Sequence, residues 1–283
     1  MKTMACEKNQ IIFAGQEISA MKSFYLLLLT TGFFLCSLAQ SKTIHHSAER
    51  LYYVIRVYHF ADTQSIQATE DFLQQVYVPF MHALGIRPVG VFSMIRPADT
   101  GEQRLYVLTP YRSLAQWENT EQALMHDTAW WNKVPDYSRA PASRPPYARM
   151  ETIVLRAFPD MPVIHKPRLH APIAQRVYEL RSYESPDEAY GLNKIQMFNA
   201  GGEIKIFDRL GFEAVFYAQV LSGCHMPNLM YMTAFEDMDA RNAHWKAFSA
   251  DSVWRHLSAL PEYQHNVSHA DIVFLHPLSF SDL

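Results

Sequence analysis

The sequence predicts an α+β fold: two tandem β-α-β-β-α-β repeats that close face to face into one eight-stranded barrel. Three observations carry that prediction. First, Tyr53-Val-Ile-Arg56-Val-Tyr58 lies 125 residues before Tyr178-Glu-Leu-Arg181-Ser-Tyr183, and both read Tyr-x-(Ile/Leu)-Arg-x-Tyr. Second, the correspondence persists downstream with little drift. Leu84-Gly85-Ile86 meets Leu210-Gly211-Phe212, Asp127 and Trp130 meet Asp251 and Trp254, and Val134-Pro-Asp-Tyr137 meets Leu260-Pro-Glu-Tyr263. Third, the residues between these anchors change period, from alternation to helical spacing and back, in the same order in both copies.

The second copy is the clearer one. Residues 177–183 alternate and predict a strand. Asp187–Leu210 predicts one long helix with Leu192, Ile195, Asn199, Ile206 and Leu210 near helical spacing, and Gly211 follows where a C-terminal cap belongs. The Gly201-Gly202 pair within it costs about 1 kcal/mol per glycine relative to Ala and points to a kink or a close backbone approach. Residues 213–221 and 228–235 predict two more strands. Asp237 or Asp239 caps a helix running to Phe248, a short helix covers 252–260 and ends at Pro261, and 270–275 is the last strand. This order is the split βαβ, or ferredoxin-like, motif. Its sheet carries helices on one face only, so two such sheets can bury their bare faces against each other as a closed barrel. The domain boundaries expected are 50–157 for the diverged first repeat, 158–175 for a Pro-rich linker, and 176–281 for the second repeat.

At 283 residues and 49% hydrophobic, the chain can bury one or two cores, and its formal net charge of −3 with no basic block argues against nucleic acid. The N-terminus predicts export. Met21-Lys22 precedes an apolar run from Phe24 to Leu35, and Ser37-Leu-Ala39 supplies small residues before Gln40, the order of a secretory signal peptide. The run is short for a membrane anchor. Residues 1–20 lack the pattern and are expected to precede the true start at Met21. The mature protein is therefore expected in the periplasm or the medium, free of the membrane. Cleavage leaves Cys224 as the one cysteine, so no internal disulfide can form. Stability then rests on core packing, and a homo-oligomer stays open.

The second copy resembles the NIPSNAP family of the dimeric α/β-barrel superfamily. The resemblance rests on Tyr178-Glu-Leu-Arg-Ser-Tyr183, Met197-Phe-Asn199 with Gly202-Glu203, Arg209-Leu-Gly-Phe212, Met226-Pro-Asn228 and Phe235-Glu-Asp-Met238, completed by Arg241, Trp245, Phe248, Asp251 and Trp254. The first copy looks like a diverged sister that lacks the Gly-Gly-Glu and Met-Pro-Asn pieces. The resemblance implies the fold far more than a function. Eukaryotic members are linked to mitochondria and vesicle handling, a setting that an exported member leaves. Related barrels include cofactor-free monooxygenases and haem-handling proteins.

Alternation places Glu179, Arg181 and Tyr183 on one face of their strand and Tyr178, Leu180 and Ser182 on the other. The mixed apolar set is expected to face the helices. That turns Glu179, Arg181 and Tyr183 into the barrel lumen, with Arg56 and Tyr58 from the first copy and Tyr217 and Tyr231 nearby. Such a lumen could bind a small organic ligand through its arginines, or use Glu179 as a proton acceptor. The plainer alternative is a Glu–Arg pair that satisfies itself and does no chemistry. The 13 histidines, including His225, His244 and His265-x-x-x-His269, are read as surface or core residues; no metal or cofactor is expected, and the tryptophans are read as helix-to-sheet packing. Three functions follow as expectations: a binding protein for a small molecule, a cofactor-independent monooxygenase-like enzyme, or an interaction module with a filled barrel.

Overall fold

The structure, a computed structural model, describes residues 49–60, 63–95 and 103–283. The expected signal segment therefore lies outside the described residues. No described helix is long and apolar enough to cross a membrane.

Eight strands form one closed antiparallel barrel in the order β1-β3-β2-β8-β5-β7-β6-β4. The first repeat supplies β1 (Tyr52–Phe60), β2 (Gly90–Met94), β3 (Gln103–Tyr111) and β4 (Arg149–Ala157). The second supplies β5 (Val177–Glu184), β6 (Glu213–Ser222), β7 (Asn228–Phe235) and β8 (His269–Pro277). Each repeat thus contributes a sheet in the order 4-1-3-2, and the barrel closes by pairing the second strand of each repeat with the fourth of the other. One seam joins Phe92 to Pro277 and Met94 to Leu275 across β2 and β8. The other joins Leu155 to Val220 and Ala157 to Ala218 across β4 and β6.

Helices cover only the outer face. In the first repeat these are α1 (Thr63–Phe72), a π-helical turn at Leu73–Tyr77, α2 (Val78–Ala83), α3 (Leu114–His126), α4 (Thr128–Trp131) and α5 (Pro135–Ser138). In the second they are α6 (Glu188–Phe198), α7 (Glu203–Arg209), α8 (Met238–Ala250) and α9 (Ser252–Ala259). The duplication extends to the caps. Ser113 accepts from Gln116 N–H to start α3, and Asp237, its counterpart, accepts from Ala240 N–H to start α8. Asp127 and Asp251 cap α4 and α9 in the same way. Each cap satisfies a donor left unpaired at a helix start, worth about 1 kcal/mol.

The long helix expected over 187–210 is two helices, α6 and α7. Gly202 sits at φ +87° as the residue before α7, a left-handed conformation that favours glycine. A Cβ on Gly201 would lie 2.5 Å from the Met197 carbonyl oxygen. The glycine pair is therefore a break between the two helices.

The lumen holds the most buried core. Tyr53, Phe92, Tyr178 and Phe216 are buried there to 1% exposure or less, joined by Leu155 and Leu275. Tyr53 and Phe216 come from opposite repeats, with ring centroids 5.3 Å apart. Two further clusters pack each sheet against its own helices. Replacing Phe216 with Ala removes an aromatic ring from the place where the repeats meet, so Phe216→Ala is expected to cost about 3–5 kcal/mol of stability, read as a lower urea midpoint in chemical denaturation.

Candidate functional site

The inner face of β1 carries Tyr53, Ile55, Val57 and His59, and that of β5 carries Tyr178, Leu180, Ser182 and Glu184. Both series run from apolar to polar toward the ends of their strands. β1 and β5 finish at the same mouth of the barrel where β3, β4, β7 and β8 begin. The middle of the lumen is plugged by aromatic rings, but this mouth holds a cavity of about 430 Å³. Val57, Tyr106, Ile153, Leu180, Met230 and Val273 give it apolar walls, and both repeats contribute.

Polar groups gather around those walls. His59, 7% exposed, places Nε2 2.9 Å from Glu151 Oε1, and Arg149 holds the same oxygen at 3.4 Å. Arg104 lies beside Tyr106, with Nη1 3.5 Å from the phenol oxygen. Across the mouth, Ser182 Oγ accepts from Asn228 Nδ2 at 2.8 Å. Glu184 Oε1 lies 3.1 Å from His225 Nδ1, and His269 Nε2 lies 3.1 Å from Asp271 Oδ1. Ligand atoms of Glu184, His269 and Asp271 fall within 4.8 Å of one another, a mixed imidazole and carboxylate set of the kind divalent transition metals accept. Two of these three side chains are more than half exposed. Chemically, the mouth offers an imidazole backed by a carboxylate on one side, hydrogen-bonding groups on the other, and a dry wall between them.

The seven residues expected to line the lumen do not. Glu179, Arg181, Tyr183, Tyr217 and Tyr231 lie on the outer face of the second sheet, under its helices, and Arg56 and Tyr58 lie on the outer face of the first. The reason is where partners are available. A charge buried without a partner is costly, and the helices supply partners that the opposing sheet lacks. Glu179, fully buried, accepts from Arg181 Nε at 2.7 Å, from Arg241 Nε and Nη2 at 2.9 and 2.8 Å, and from Trp245 Nε1 at 2.7 Å. Arg181 donates onward to Tyr183 at 2.8 Å, and the Tyr183 hydroxyl is 2.9 Å from that of Tyr231. Burial alone would lower the Arg181 pKa, but Tyr231, Tyr183 and Glu179 hold it above its ordinary value. The Arg181 guanidinium lies 3.5 Å over the Trp245 ring. Tyr217 packs beside Tyr231, with centroids 5.6 Å apart, so the structure brings five of the seven together. Arg56 and Tyr58 belong to a separate assembly, in which Arg56 pairs with Glu121 from α3 and covers Tyr77.

Sequence reasoning missed His59, Tyr106, Glu151, Glu184, His269 and Asp271 as a group. A signal existed in the apolar side of each alternating strand, which ends in His59 on β1 and in Ser182 and Glu184 on β5. The histidines, weighed one at a time, gave no hint of this. Register alone sets His269 opposite Glu184 and Asp271 opposite Ser182.

Two ferredoxin-like halves that share one barrel, with a cavity at its mouth, define a dimeric α/β-barrel protein whose two subunits are fused in one chain. The NIPSNAP profile matches residues 53–162 and again 178–282, and the chain belongs to the NIPSNAP family. No curated protein matches the sequence. Among solved structures, a protein of Lactobacillus acidophilus provisionally described as a monooxygenase is similar with a TM-score of 0.53 at 12% identity, over 81% of this chain and 94% of that one. A Fusobacterium nucleatum protein provisionally described in the same way gives 0.54 at 9% identity, over 82% and 94%. An anthrone oxidase-like protein gives 0.51 at 7%, over 82% and 93%. At these identities the likeness is one of fold.

The two buried carboxylates under the helices of the second repeat, Glu179 and Glu203, each generate a prediction. Glu179→Gln strands two guanidinium groups under the helices and is expected to destabilise the protein by about 3–5 kcal/mol, measured by urea titration. Glu203, buried against Lys194 at 2.8 Å, has its carboxyl pushed up from the ordinary 4.5 by burial, with Lys194 pulling it back. The folded chain then holds that proton more tightly than the unfolded chain. Its contribution is complete below the unfolded pKa and is lost as pH rises through the folded one. The stability difference between wild type and Glu203→Gln is accordingly expected to shift against wild type as pH climbs from 4.5, followed by denaturation at a series of pH values.

Proposed function

We propose that this NIPSNAP-family protein is exported and binds a small organic ligand in the cavity at the barrel mouth. The observation that carries the reading is the cavity itself: about 430 Å³, lined by apolar and polar side chains together, in a barrel otherwise filled. That volume and mixed lining suit a compact organic molecule with an apolar body and several hydrogen-bonding groups. Export is supported by the apolar run and small-residue site before Gln40. Native mass spectrometry of the secreted full chain reads mature mass and co-purified ligand together. Ile153→Trp, which fills the cavity from β4, is expected to remove the ligand while leaving the fold intact. An unoccupied wild-type chain that also ignores a library of small aromatic compounds would sink the proposal and favour an interaction module.

A second reading, a cofactor-independent monooxygenase-like enzyme, is favoured by the pair His59 and Glu151 on the cavity wall. His59 would take a proton from an acidic substrate methylene, and the carbanion would be oxidised by molecular oxygen. One oxygen atom enters the new carbonyl and the other leaves as water, so no further reductant is needed. With anthrone as probe, oxygen uptake above background is expected to fall about 10²-fold or more in His59→Ala. Uptake no faster than in buffer would remove the enzymatic reading and leave the binding one standing.

A further inference from the structure

A second cavity, of about 540 Å³, opens on the opposite side of the second sheet, between α8, α9 and the start of β8. Its walls are aromatic, with Tyr183, Trp245, Phe248 and Trp254, and its base is charged. Five ionisable side chains meet there. Arg181, Lys194 and Arg241 are 11%, 5% and 17% exposed; Glu179 and Glu203 are 0% and 3%. Among the described residues lining or underlying this groove, cations therefore outnumber carboxylates by one. Ring faces offset part of the surplus, with Arg181 3.5 Å over Trp245 and Lys194 4.8 Å over Phe198, but an anion reaching this half-sheltered groove would meet it more strongly.

The fold does not require that excess. The same place in the first repeat holds one cation, Arg56, against one carboxylate, Glu121. At the repeat offsets of 126 and 124, Ala68 stands where the second copy has Lys194, Tyr77 stands for Glu203, and Trp117 stands for Arg241. Tyr77 is buried and its ring lies 5.1 Å from Arg56. The first copy is thus neutral and filled, while the second is cationic and open.

The cations also keep donors in hand. Arg241 gives Nε and Nη2 to Glu179 and Nη1 to Asn242, so two of its five N–H groups are uncommitted. Lys194 gives one proton to Glu203 at 2.8 Å; its other neighbours are weaker acceptors, the Met197 sulfur at 3.3 Å and the ring of Phe198 at 4.8 Å. We infer that this groove is a separate ligand site, for a monocarboxylic acid whose aromatic or aliphatic body lies along Trp245 and Trp254. The carboxylate neutralises the surplus cation and takes the uncommitted donors, while the rings cover the apolar body.

Isothermal titration of the whole protein with 4-phenylbutyrate and with its neutral amide tests the assignment. The acid is expected to bind at least about tenfold more tightly than the amide. Two charge variants should move affinity in opposite directions. Arg241→Met balances the groove and weakens the acid, whereas Glu203→Gln adds to the excess and strengthens it. Ala270→Trp, at the exposed rim, should abolish binding with the melting temperature unchanged, while Ile153→Trp in the barrel mouth should leave it intact. Equal affinity for acid and amide, retention of binding in Ala270→Trp, or no binding of the acid at millimolar concentration would each overturn the inference. So would a loss of affinity in Glu203→Gln.

Discussion

The bare face of each four-stranded sheet here is apolar, with Tyr53, Ile55 and Val57 on one and Tyr178 and Leu180 on the other, and cannot be left in water. Everything distinctive in this molecule follows from how that face is hidden. Here the cover is a second copy of the same sheet, carried on the same chain and joined at two seams, β2 with β8 and β4 with β6. Closure leaves no unpaired strand edge in the barrel. It also makes the inner faces the driest part of the protein, with Tyr53, Phe92, Tyr178 and Phe216 meeting across them.

That dryness dictates where charge can go. An arginine pointing into the middle of the lumen would meet apolar side chains of the other sheet, and the inward charges, His59, Arg149 and Glu151 among them, are confined to the mouth. Pointing outward, an arginine meets helices that carry carboxylates and ring nitrogens. Both repeats keep the outward arginine, Arg56 or Arg181, but they satisfy it differently. In the second, the carboxylate is Glu179 on the strand, fixed by Arg241 and Trp245 from α8. In the first, Val54 replaces that glutamate, and Glu121 reaches back from α3, at the position Trp245 occupies in the other copy. The carboxylate has moved from sheet to helix while the pairing survived, which marks the pairing as the constrained feature and the position as the free one.

This also explains what the sequence could and could not reveal. The element order was legible in alternation, helical spacing and capping residues, which are local signals, and the duplication and closed barrel in the recurrence of that order at an offset of about 125 residues. The direction of Glu179 and Arg181 was not. The rule that mixed polar sets face away from helices assumes that helices offer only apolar cover, and the residues that break the assumption, Arg241 and Trp245, lie 62 and 66 positions away. The mouth of the barrel was hidden for a related reason. His59 and Glu151 sit 92 positions apart in sequence, and only the pairing of β1 with β4 brings them together. The Gly201-Gly202 pair was visible in the sequence as a cost within a helix, and in the structure that cost is a break.

Fusion of the two copies has one further consequence for function. In a symmetric dimer of such half-barrels, a cavity at the mouth would present the same groups from both sides. The positions related by the repeat offset of 125 are here unlike: Val57 answers Ser182, and His59 answers Glu184. His59 pairs with Glu151, while Glu184 lies among His225, His269 and Asp271. One side of the cavity thus offers a shielded imidazole with a carboxylate behind it. The other offers carboxylates and imidazoles open to water. A ligand that enters is oriented by that inequality, since its polar end meets different partners according to which way it lies. Duplication within one chain is what permits the two sides to diverge, and the same freedom let one helix layer fill with Tyr77 while its twin stayed open over Glu203.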